Sequence, residues 1–115
     1  MEAVVDKLIL LPRFTTFAGA TTFETPPMNV RGYGEALIDL QLAGAIGAPA
    51  AALVVEVQES PDLGIWRDIG TLVSGTTTSV TFAFEWIRLK ITVSGADPAV
   101  TCWCVGNFIR RQAVA

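Results

Sequence analysis

The sequence predicts an all-β protein, a single jelly-roll or β-sandwich domain of about eight antiparallel strands spanning residues 1–115. Three observations carry this. Apolar and polar residues alternate with period two in most segments, no interval shows a sustained helical period, and turn chemistry recurs between the alternating runs.

The first extended segment is Ala3 to Leu11. The stretch that follows contains Thr, Gly and the adjacent Pro26 and Pro27, and Thr21 to Glu24 is its one extended run. Residues 14–33 therefore read as an extended arm or long loop, or as a weak edge strand leading into such an arm, and such segments often reach a neighbouring subunit. In Gly34 to Leu42, Ala36, Ile38, Leu40 and Leu42 oppose Glu35, Asp39 and Gln41, so the first set is expected inward. Gly44 to Pro49 reads as a turn.

Ala52 to Glu59 and Ile65 to Val73 form the best-defined hairpin. Leu53, Val55 and Val57 alternate with Val54, Glu56 and Gln58 until Ser60-Pro61-Asp62-Leu63-Gly64 stops the pattern. Pro61 presets φ, Asp62 can bond its own backbone, and Gly64 is expected to supply a positive φ. Thr77 to Phe84 offers Val80, Phe82 and Phe84 to the core, and Trp86 to Ser94 offers Ile87, Leu89, Ile91 and Val93. Ser94 to Pro98 carries turn chemistry and predicts a hairpin into the last strand, Ala99 to Ile109. The register of that hairpin decides whether Trp103 or the Cys102 and Cys104 pair faces inward. Cysteine's strong burial tendency assigns Val100, Cys102 and Cys104 inward and Trp103 outward.

Composition narrows the function classes. The net charge is −3, and apart from Arg110-Arg111 the basic residues are scattered, which argues against a nucleic-acid surface. Charged residues are only 17% and hydrophobic residues 51%, rich for a small monomer, so part of the apolar surface is expected to face other chains and the protein to be a homo-oligomer. The longest uncharged run, Leu40 to Val55, has 16 residues broken by Gly44, Gly47 and Pro49, short of the ~20 that a spanning helix needs, so no membrane partner is expected. No secretory signal is evident, and synthesis in a cytoplasm is expected.

No catalytic constellation is legible. The chain has no histidine, which removes the commonest general base. Glu35 and Asp39 share a strand face but stand ~13 Å apart by strand rise, beyond the ~5 to 9.5 Å of glycosidase pairs. Glu56, Glu59, Asp62 and Asp68 gather around the hairpin without a metal-loop spacing and read as solvated carboxylates. Cys102 and Cys104, one residue apart on a strand, read as reduced, small buried hydrophobes, not a disulfide or metal pair. No enzyme activity, cofactor or metal is expected.

The aromatic residues supply the candidate interface. Trp66 packs over the sandwich end, whereas Trp86 shares the outward face of Arg88 and Lys90, and Trp103 is outward by the assignment above. Exposed Trp on a β-face serves as a sugar platform or an interface anchor, and the high apolar content favours the second. Trp86, Arg88, Lys90, Trp103 and Tyr33 are the candidate interface residues.

Two stretches carry a resemblance. VEVQESPDLGIWRDIG (Val55 to Gly70) and WIRLKITVSGADPAVTCWCVGNF (Trp86 to Phe108) resemble the paired hairpin and strand of discoidin-like and galactose-binding-like β-sandwiches. The chain departs from that pattern in having Trp86-Ile87 before Arg88, and it is shorter than a usual discoidin domain. The same signature occurs in jelly-roll capsid cement proteins of tailed phages. There the similarity extends upstream through Gly34-Glu35-Ala36-Leu37, the Ala/Gly loop and Ala52 to Ser60, covering about Gly32 to Phe108. These are strand and turn patterns, and no functional residue transfers individually. The resemblance implies a non-enzymatic virion protein, made in a host cytoplasm, that binds the outer capsid surface and bridges adjacent capsomers. Its partners would be the major capsid protein, copies of itself, or both. The alternatives are a discoidin-like carbohydrate-binding module using Trp86, Trp103 or Tyr33, and a tail or baseplate component.

Overall fold

A computed structural model describes residues 4–111, without the side chains of Phe14, residues 46–52 and Ala96; Ala3 of the expected first strand and both ends of the expected 1–115 domain lie outside the described residues. The described chain is all-β. Its strands are β1 (Val5–Ala18), β2 (Thr22–Glu24), β3 (Met28–Asn29), β4 (Tyr33–Ser60), β5 (Arg67–Leu72), β6 (Thr77–Thr81) and β7 (Trp86–Arg110).

β4 and β7 form one long antiparallel ribbon, from Tyr33 opposite Arg110 to Ser60 opposite Trp86. The ribbon bends in its middle and the two halves pack face to face. In the first sheet, residues 99–110 of β7 pair with β1, residues 33–42 of β4 lie on their other side, and β6 closes the edge. In the second, residues 86–94 of β7 pair with β2 and β3, and residues 53–60 of β4 pair with β5. This is a β-sandwich in which the long ribbon crosses from one sheet to the other at its bend. With β4 and β7 each counted as two strands at their bends and β1 as two at its register shifts, the described residues form ten strands where about eight are expected.

The difference has a physical cause. Gly44 to Pro49 and Ser94 to Pro98, expected as turns, are instead bends inside β4 and β7, where register shifts accumulate and Gly95 and Asp97 take φ of 125° and 47°. The same residues that reverse a chain can also turn it a corner, and pairing on both sides holds the ribbon together through the corner. The 14–33 segment lies along β7: β1 continues to Ala18, and β2 and β3 pair with Ile91 and Ile87 as edge strands.

Alternation places the core. Ala36, Ile38 and Leu40 of the first sheet face Val55, Val57, Ile87, Leu89, Ile91 and Val93 of the second, all almost fully buried. Leu42, expected inward, is 43% exposed, because the register slips between Leu42 and Gly44 where the ribbon begins to bend. Val100, Cys102 and Cys104 are buried and Trp103 faces out, as cysteine's burial tendency implied. At one end Phe108 packs between Phe82, 5.8 Å away, and Tyr33, 5.6 Å away. There Gly106 leaves the room that Phe108 occupies, since a Cβ on it would lie 2.5 Å from the Phe108 ring.

Candidate functional site

The Ser60–Trp66 connection is the best-organised loop of the sandwich. Ser60 is fully buried, and its Oγ accepts the N–H groups of Asp62 at 3.2 Å and Leu63 at 2.9 Å. The Asp62 carboxylate accepts those of Gly64 at 2.8 Å and Ile65 at 2.9 Å, and these N–H groups hold its carboxyl below the usual range. Trp66 closes the turn by donating its indole N–H to the Leu63 carbonyl, 3.2 Å away.

These bonds put the left-handed residue one position earlier than expected. Leu63, not Gly64, has positive φ, at 68°. A leucine there is strained, and the surrounding hydrogen bonds hold it in place. The loop thus presents two aliphatic side chains to solvent in one fixed geometry, Leu63 at 45% and Ile65 at 72% exposure. Sequence reasoning passed over both. Their signal was present, since two large aliphatic residues flank a glycine in a turn where polar residues usually sit.

Three of the expected interface residues, Trp86, Arg88 and Lys90, line up beside this loop on the outer face of the second sheet. Trp86 stands opposite both Ser60 and Asn29, half-buried. The Arg88 guanidinium lies 4.2 Å from the centre of the Trp66 ring, pairs with Glu24 at 2.6 Å and donates to Gln58 Oε1 at 2.9 Å. Gln58 in turn donates to Asp68 at 2.8 Å, and that bond holds the Asp68 carboxyl low. The hydrogen bond with Asp68 pushes Glu56 up instead, and Lys90 stands opposite both Glu56 and Glu24. Arg88 is thereby fixed by three neighbours and, largely covered and with its charge paired to Glu24, forms a rigid support beneath Trp66 beside the apolar loop.

The other two candidates lie elsewhere. Trp103 is on the outer face of the first sheet with Arg13 over its ring at 5.3 Å. Tyr33 sits at the sandwich rim, where its hydroxyl donates to Asp6 at 2.6 Å and raises its own pKa while lowering that of Asp6. The three tryptophans and Tyr33 therefore do not converge on one stacking platform.

Nor do the acidic residues converge. Glu59 turns inward, away from Glu56 and Asp68, and among the described residues no group of three or more His, Cys, Asp or Glu is placed to hold a metal ion. Burial pushes the Cys104 thiol up to about 12, so it is held as a neutral thiol and not as a nucleophilic thiolate. Among the described residues no helix is long and apolar enough to cross a membrane. Compared with known protein families and with curated proteins, the chain matches none.

Proposed function

We propose that this protein is a non-enzymatic virion structural protein that binds the outer surface of an assembled capsid and bridges adjacent capsomers, with the Ser60–Trp66 loop, Trp86 and Arg88 as its contact. One observation carries the reading: a loop fixed by its own hydrogen bonds holds Leu63 and Ile65 in solvent beside an aromatic residue and a pinned arginine. Rigid apolar anchors beside Trp and Arg have the composition of an interface hot spot, and pre-organisation removes the ordering cost that a flexible loop would add on binding. The resemblance of Gly32 to Phe108 to phage cement proteins supplies the partner, a repeating shell on which many weak attachments act together.

The test is co-sedimentation of the purified protein with capsids lacking it. Leu63→Asp with Ile65→Asp is expected to weaken attachment at least ~10-fold while leaving thermal unfolding within ~2 °C, because both side chains are exposed. Trp86→Ala should weaken it as well. Unchanged attachment of these variants would remove the contact, and a monomer that ignores capsids but binds a glycan would replace the reading with the carbohydrate module.

A further inference from the structure

The outer face of the first sheet carries an apolar column bounded by charge of opposite sign on its two sides. Along β7 the outward residues from Trp103 onward are Trp103, Val105, Asn107 and Ile109, three of the four apolar. On one side β1 sets Ile9, 64% exposed, opposite Val105, with Lys7 and Arg13 before and after it. On the other side β4 sets Glu35 opposite Ile109 and Asp39 opposite Val105, with Leu37 between them. The β1 side is cationic and the β4 side anionic.

We propose that this face binds a second copy of the chain, sheet against sheet, about a two-fold axis running along β7. Such an axis lays the apolar column of one copy on that of the other and brings β1 of each over β4 of its partner. Lys7 and Arg13 then meet the carboxylates of Glu35 and Asp39 twice, once on each side of the axis. An axis perpendicular to the strands would instead lay β1 on β1 and oppose the cations. Charge complementarity thus selects one arrangement of the two. About nine residues on each of three strands give a buried area on the order of 1,000 Å² counting both copies, the lower end for a specific interface. The dimer is accordingly a weak one that rises with concentration. It leaves the second sheet and the Ser60–Trp66 loop outward on both copies, so the dimer would be bivalent, yet the pairing itself does not depend on the capsid reading.

Sedimentation equilibrium of the full chain over a concentration series, without capsids, tests the pairing. The wild type is expected to show a monomer–dimer equilibrium, weakened at least ~10-fold by Ile9→Glu with unchanged circular dichroism and thermal midpoint. Lys7→Glu and Glu35→Lys should each be monomeric alone, and an equimolar mixture of the two should dimerise, because only the mixed pair restores opposite charges on both sides of the axis. A wild type that stays monomeric at ~1 mM overturns the proposal. So does a dimer indifferent to Ile9→Glu, or a mixture that fails to pair. Capsid attachment by a chain that never dimerises would overturn the pairing and leave the proposed attachment standing.

Discussion

Glu59 ties Arg67 to the interior of the sandwich. One carboxylate oxygen is 2.5 Å from an Arg67 Nη and 2.7 Å from its Nε, and the other accepts the N–H groups of Ala83 at 2.8 Å and Phe84 at 3.1 Å. Glu59 is fully enclosed, whereas the Arg67 side chain is 57% exposed and lies over the Phe84 ring. A charge at the end of β4 thus holds the start of β5 and the turn between β6 and β7 together, which is how the Ser60–Trp66 loop acquires a fixed base.

The two halves of that pair are expected to respond unequally. Glu59→Ala leaves two backbone N–H groups and a guanidinium without their acceptor and should cost ~3 to 5 kcal/mol. Arg67→Ala leaves the enclosed carboxylate its two backbone donors but no cation, and water can enter where the half-exposed side chain stood, so a smaller loss of ~2 to 3 kcal/mol is expected. Urea unfolding midpoints of both variants check this, and equal losses would contradict it.

Asp62 is expected to govern part of the acid limb. Its folded carboxyl is held low by Ile65 and Gly64, so its contribution is present above the unfolded pKa of ~3.9 and lost as pH falls through the lower folded value. Asp6, lowered by Tyr33 and Arg110, acts in the same direction. In Asp62→Asn, the fall in stability below pH ~4 should be shallower than in the wild type while the Asp6 share persists. Thermal melts from pH 2 to 6 measure it.

Gly106→Ala should destabilise by ~1 to 3 kcal/mol, because a Cβ would lie 2.5 Å and 3.2 Å from two ring atoms of Phe108, itself enclosed by Phe82 and Tyr33. Phe108→Leu in the same background should recover part of the loss. Calorimetry of the single and double variants decides whether the two sites couple.

Cys104 should be inert in the native state. With its thiol pushed up to about 12 by burial, a bulky thiol reagent at pH 8 should label it only as the protein unfolds. Because the folded pKa is raised, the associated stability is full below the unfolded value of ~8.5 and is lost as pH rises towards about 12. Rapid native labelling would show that the β7 face opens, and a mass lower by one disulfide would show that the cysteines are paired.

Local chemistry determined much of this protein. Period-two alternation alone sets Ile87, Leu89, Ile91 and Val93 inward and Arg88 and Lys90 outward, because successive residues of any strand point to opposite sides whatever the strand pairs with. The same parity marked Glu59, which shares the phase of the buried Val55 and Val57, although its charge argued for solvent. Cysteine's affinity for interiors placed Cys102 and Cys104 correctly. What tertiary structure alone decided is everything that depends on a distant partner. Glycine, proline and aspartate at Ser94 to Pro98 permit a hairpin or a corner equally, and only pairing with β4 on both flanks, with β2 before the corner and β1 after it, makes it a corner. Leu63 rather than Gly64 takes the left-handed conformation because Ser60 and Asp62 capture four backbone N–H groups, a competition among hydrogen bonds that residue preference does not reveal. The burial of Glu59 likewise required Ala83, Phe84 and Arg67 to arrive from other strands, since a carboxylate leaves water only where enough donors converge on it.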